Sequence, residues 1–116
     1  MEFIPVIFGG HVNGYSIART FFETYGIKSI ICDYIKHVSR HSSFVDYRFV
    51  PNPKHVNEFV EYVFELGAKL RENGKQPLII VTNDIWLIPL SRNRDILDKR
   101  FIYSFSRWDV IERLTI

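Results

Sequence analysis

Three groups of residues in this chain combine side-chain types and spacings that chemistry can use. The first is the run Gly9, Gly10, His11, Val12, Asn13, Gly14, in which small residues bring backbone amides into the open beside an imidazole and a carboxamide. If a helix starts there, its unpaired amides and partial positive charge favour a phosphate or a carboxylate. The second is the polar triplet Thr82, Asn83, Asp84, which closes an apolar run. The third is the pair His37 and His41, whose i, i+4 spacing can seat a metal on a helix. No third ligand lies close in sequence, so a solvated pair and no metal site are expected. Cys32 is the single cysteine, which excludes an internal disulfide and fits a reducing compartment. With no base beside it, Cys32 reads as a small packed apolar residue.

The glycine run fails the strict nucleotide fingerprints. A dinucleotide loop has the form G-x-G-x-x-G, and here the order is G-G-H-V-N-G. Asp33 does stand about 20 residues beyond Gly14, where the ribose-binding acid of that fingerprint is expected. There is no G-x-x-x-x-G-K-[ST] segment for a nucleoside triphosphate. A structural reading competes with every ligand role. The glycines suit a tight strand-to-helix turn, and His11 suits an exposed turn. Asn13 suits a helix cap, and Arg19 suits an ion pair with Glu23 at i+4. Asn83 and Asp84 reach either a ligand or a loop backbone. Trp86 and Trp108 belong either to an interdomain face, with Arg19, or to the core.

These residues need elements to position them. Ile4, Val6, Ile7 and Phe8 form an apolar run of the kind found in a strand covered on both faces. From Tyr15 the period becomes helical, with Ile17, Phe21 and Tyr25 at i, i+4, i+8, and Gly26 suits a left-handed helix end. Strands are expected over residues 29–33, 44–50 (near an edge), 78–81 and 101–103. The segment 34–43, with Lys36, His37, Arg40 and His41, reads as a surface loop or irregular turn. Asn52 and Pro53 announce a second helix as cap and first residue. Its buried stripe is Val56, Phe59, Val60, Val63, Leu66 and Leu70, and Asn73 with Gly74 ends it. A short helical turn is expected over 85–90. Ser106 and Asp109 form a capping box that opens a last helix at Arg107.

This alternation defines an α/β class: a Rossmann-like three-layer domain with a mainly parallel sheet of four to five strands. If the two most apolar strands, 4–8 and 78–81, are central neighbours, the strand order reverses between them. Ligands in open α/β sheets bind at such a reversal, beyond the carboxyl ends of the strands. That placement makes Gly9, Gly10, His11, Asn13, Gly14, Asn83 and Asp84 the expected crevice residues. At 116 residues the chain is one domain, spanning 1–116, and small for a complete metabolic enzyme. A hydrophobic share of 47% excludes a disordered chain, and a net charge of +2 gives no basic stripe for nucleic acid. With no apolar run near the roughly 18 residues that span a bilayer and no signal-peptide pattern, the expectation is a cytoplasmic protein with no membrane partner.

The opening F-I-P-V-I-F-G-G-H-V-N-G-Y-S-I-A-R-T-F-F-E-T-Y-G resembles the start of ATP-grasp ligases of the carboxylate–amine type. That group includes D-aspartate ligases and relatives of the carbamoyl-phosphate synthase large subunit. The features that match are the apolar strand, Gly9 and Gly10, then Asn13, Tyr15, Ser16, Ala18 and Arg19. Downstream, I-I-V-T-N-D over 79–84, R-D-I-L over 94–97 and the closing F-S-R-W-D-V-I-E-R-L are similar too. His11 departs from the pattern, since many relatives carry an acid there. The resemblance implies a pre-ATP-grasp domain that forms one wall of a site for an amino-acid or other carboxylate or amine substrate. Its implied partner is an ATP-grasp domain of the same polypeptide, which holds ATP and Mg²⁺ and activates a carboxylate as an acyl phosphate for displacement by an amine. That domain is expected to follow this chain, so the chain by itself is expected to be catalytically incomplete, with no catalytic residue and no cofactor of its own. The alternative is a free-standing Rossmann-like module that binds a nucleotide or small anion at the 9–14 loop. A homodimer through the face left for the missing domain is compatible with both.

Overall fold

In a computed structural model, which describes residues 2–97 and 100–103, the two most apolar strands lie side by side. Strand β1 (Glu2–Phe8) pairs in parallel with β4 (Lys75–Val81) over its whole length, Val6 against Ile79 and Phe8 against Val81. On its other side β1 pairs with β2 (Ser29–Asp33), Phe8 against Cys32. β3 (Val45–Phe49) and β5 (Ile102–Tyr103) form the edges, giving a five-stranded, all-parallel sheet of order β3-β2-β1-β4-β5. The chain leaves β1 toward β2 and β3 and later returns beside β1 as β4. The order therefore reverses between β1 and β4, as the apolarity of these two strands predicts.

Period-2 alternation distributes the core to both faces. Ile7 and Ile31 point to one side, where Ala18 of α1 (Val12–Tyr25) covers them. Val6, Phe8, Ile30, Cys32 and Ile79 point to the other, against Phe59, Val63 and Leu66 of α2 (Val56–Glu72) and Trp86 and Leu90 of α3 (Asp84–Arg92). Leu97 of the short α4 (Arg94–Leu97) joins the same cluster. The arrangement is a Rossmann-like three-layer α/β fold. No helix among the described residues is long and apolar enough to cross a membrane.

The helix ends follow local chemistry, with two departures from the sequence expectations. Gly26 ends α1 at φ +67°, its amide donating to the Phe22 carbonyl. α1 begins at Val12, however, three residues before the helical period becomes visible at Tyr15, so Asn13 sits in the first turn and His11 is the capping position. α2 begins at Val56, with His55 as its cap rather than Asn52. The Asn52 carboxamide instead accepts from the Lys54 amide, and its carbonyl accepts from the His55 amide. This local turn competes with the helix for the same backbone groups. Val56, placed in the buried stripe by spacing, is exposed. The capping box at Ser106 and Asp109, the last helix and Trp108 lie outside the described residues.

Candidate functional site

The carboxyl ends of β2, β1 and β4 are stitched together before any ligand is considered. The Gly9 amide donates to the Cys32 carbonyl at 2.9 Å, and the Thr82 amide and hydroxyl both donate to the Phe8 carbonyl, at 3.2 and 2.8 Å. Gly9 adopts φ +106°, and a Cβ there would fall 2.0 Å from Thr82 Oγ1. At Gly14, inside the first turn of α1, a Cβ would lie 1.8 Å from the Gly9 carbonyl oxygen. Backbone therefore touches backbone where the helix meets the turn, and only glycine permits it. The sequence reading that the glycines serve a tight strand-to-helix turn accounts for both positions.

Asp33 holds the next link. It is only 4% exposed. Its Oδ2 accepts from the Gly10 amide at 2.8 Å and faces His37 Nε2 at 3.2 Å, while Oδ1 accepts from the amides of Tyr34 and Ile35 at 2.7 and 3.1 Å. Both oxygens are committed within the protein, so this acid ties the end of β2 to the glycine loop instead of waiting for a ribose hydroxyl. The segment that follows is pinned as well. The Tyr47 hydroxyl donates to the Ile35 carbonyl and accepts from the His37 amide, and the Ser39 hydroxyl donates to the Gly10 carbonyl at 2.6 Å. Partial burial pushes the Tyr47 phenol above its ordinary range.

The expected crevice residues divide between two hollows. His11 opens into a cavity of about 640 Å³ bounded by the start of α1 and by the segment around a 3₁₀ turn, Val38–His41. Lys36, His37, Ser39 and His41 line its opposite wall, and the His11 and His37 rings stand 5.2 Å apart. Asp84 instead faces a hollow of about 290 Å³ with Tyr34, Lys54, Ile88 and Arg92. Asn83 is the cap of α3, its Oδ1 accepting from the Ile85 amide at 3.1 Å, so the loop-backbone role offered for it holds. Asn13 is exposed beside the first cavity but is not among its lining residues.

The interdomain residues also separate. Arg19 is paired with Glu23 at 2.6 Å on the exposed side of α1. Trp86 is 1% exposed and packs its ring among Phe8, Phe59 and Tyr34. It belongs to the core, and its interdomain role is corrected: the apolar sheet face above Phe8 needs a large side chain, and α3 supplies one. Lys36, His37 and His41 lie on the surface segment and irregular turn expected over 34–43, and they also form a wall of the larger cavity. The signal for them was positional, because they follow directly from the carboxyl end of β2, the edge at which the glycine loop also lies.

Cys32 is fully buried, and burial drives its thiol far above the ordinary range, which removes it as a nucleophile. Among the described residues no three histidines, cysteines or acids converge as a metal site. Asp33 is already consumed by backbone amides, and among the described residues no carboxylate lines the cavity beside the glycine loop.

The fold thus places the chain among Rossmann-like three-layer α/β domains. No protein-family model matches the chain. Among curated proteins it is similar to a D-aspartate ligase of Enterococcus faecium (strain Aus0004), with 28% identity over 116 residues, covering 97% of this chain and 27% of that protein. The chain therefore spans about a quarter of the relative's length. No solved structure matches.

Proposed function

We propose that this chain is the amino-terminal, pre-ATP-grasp domain of an ATP-dependent carboxylate–amine ligase, forming one wall of the substrate site. The observation that carries the reading is the similarity itself, which runs over 97% of the chain and touches only 27% of the ligase. The geometry is consistent with it. The glycine loop and the start of α1 border an open cavity at the carboxyl edge of the sheet. In this reading ATP and Mg²⁺ belong to an ATP-grasp domain of the same polypeptide, and Arg19, on the exposed side of α1, is available to that neighbour.

The test is an assay on the full reading frame that encodes this chain, with ATP, Mg²⁺ and a panel of carboxylates that includes D-aspartate, in the presence of hydroxylamine. An acyl phosphate intermediate is intercepted as a hydroxamate, with ADP and phosphate released. ADP and hydroxamate from one member of the panel support the ligase. A reading frame without an ATP-grasp segment, and without carboxylate-dependent ADP release, refutes it. The 116 residues alone are expected to release no ADP. The alternative, a free-standing module, is favoured in one respect by the larger cavity, which suits a small anion better than a nucleotide, given the commitment of Asp33. Amide shifts of Gly9, Gly10 and Gly14 on titration with nucleotides decide that case.

A further inference from the structure

We propose that the cavity between the start of α1 and the Val38–His41 turn is an oxyanion site that takes a carboxylate or phosphate group and rejects an ammonium. The inference deepens the reading of this wall as part of a substrate site, and its link to a ligase substrate rests on that reading. The cavity is lined by Lys36 and by three imidazoles, His11, His37 and His41, and no carboxylate is among its lining residues. Asp33 lies beside it but is buried, with both oxygens taken by the amides of Gly10, Tyr34 and Ile35 and by His37. A guest ammonium would find no acceptor charge here, whereas a guest oxyanion meets the imidazoles of His11 and His41 and the positive charge of Lys36, whose ammonium stands 5.9 Å over the Phe49 ring, while His37 Nε2 is turned to Asp33.

The remaining walls sharpen the selection. α1 is 14 residues long and opens at the cavity edge without a side-chain cap and without an acid in its first turn, so its field adds to that of Lys36. The backbone of this wall is held in place before any ligand arrives. Tyr47 clamps residues 35 and 37, and Ser39 is bonded to Gly10, the residue at which the two walls meet. Little ordering is left to oppose binding. Val12 and Val38 stand largely exposed beside the charged groups, 63% and 84% accessible, and Tyr15 lines the same space. The guest is thus a small molecule whose anionic end meets the imidazoles while its apolar body lies against these side chains.

The experiment is an amide NMR titration of the 116-residue chain at constant ionic strength with three probes: inorganic phosphate, succinate and, as a cation of similar length, 1,4-diaminobutane. Saturable shifts at Gly10, Val12, His37 and Ser39 are expected with one or both anions. Saturation by phosphate alone assigns a phosphate guest, and saturation by succinate alone a carboxylate guest. Lys36→Glu is expected to weaken binding at least about tenfold, because it replaces the attraction with a repulsion at the same place. His11→Gln is a second, independent variant should the first disturb the loop. No saturation with either anion, equal shifts with the diamine, or unchanged affinity in both variants overturns the proposal. Anion binding without hydroxamate formation by the full polypeptide removes the ligase reading and leaves this one standing. Hydroxamate formation without shifts in this cavity does the reverse.

Discussion

Replacing Asp33 by Asn separates an architectural acid from a ligand acid, because the two roles predict opposite results. The carboxylate is buried and accepts three backbone N–H groups, at 2.8, 2.7 and 3.1 Å. An Asn can keep the bonds from Tyr34 and Ile35 through its single oxygen, but its NH₂ then points at the Gly10 amide, donor against donor. The variant loses one hydrogen bond to a charged acceptor and leaves one buried donor unpaired. Together these cost about 2–4 kcal/mol, given roughly 1.5–3 for such a bond and about 1–3 for the orphaned group, with partial overlap between the two. That is a large part of a typical domain stability of about 5–15 kcal/mol. Urea unfolding followed by circular dichroism measures it. Hydrogen exchange at Gly10 reports the local break, because this amide loses its partner even while the domain stays folded. Asp46→Asn is the control. Asp46 lies on the exposed edge strand β3, paired with Arg48 at 2.9 Å, and its loss is expected to change stability by about 0.5 kcal/mol or less. If Asp33→Asn matches that control and Gly10 exchange is unaltered, Asp33 does not hold the loop, and its carboxylate is free for a ligand after all.

Burial and backbone geometry fix the remaining outcomes. Gly14→Ala in an ordinary helix gains about 1 kcal/mol, but here the added Cβ meets the Gly9 carbonyl at 1.8 Å. The sign is expected to reverse, with a loss of about 2 kcal/mol or more in the same urea assay. Gly26→Ala, at φ +67° with nothing within 4 Å of the added carbon, is expected to lose only about 1 kcal/mol. Cys32 is expected to resist an aromatic disulfide reagent at neutral pH and to react once urea unfolds the chain. The sign follows from burial, which raises the thiol's pKa in the folded state. Its contribution to stability is complete at pH values where the unfolded thiol is protonated. It is lost as pH rises from the ordinary thiol range, about 8.5, toward the raised folded value, because only the unfolded chain can then ionise. Protection that is unchanged between folded and unfolded chain would refute the burial argument.

Local residue patterns mark the five strands, the two long helices and the two apolar strands that pair as neighbours. Strand apolarity, helical period and the glycine and asparagine stops are local properties, carried by residues a few positions apart. The reversal between β1 and β4 followed from this, because only the most covered strands can be wholly apolar. The helix starts were less legible: Gly14 interrupts the apolar period of α1, and Asn52 satisfies its own turn, so neither true beginning shows in composition. What each polar residue does was decided by tertiary structure alone. Asp33 stood where a ribose acid is expected, and only the approach of Gly10, 23 positions away, commits its oxygens. The parallel register of β1 and β2 brings the loop of His37 and His41 against His11, a neighbour that no local spacing shows. Trp86 was equally compatible with a face or a core until α3 laid it on Phe8. Hydrogen bonds and cavities join residues that are distant in the chain, and their partners are fixed by how the strands stack, which no local pattern encodes.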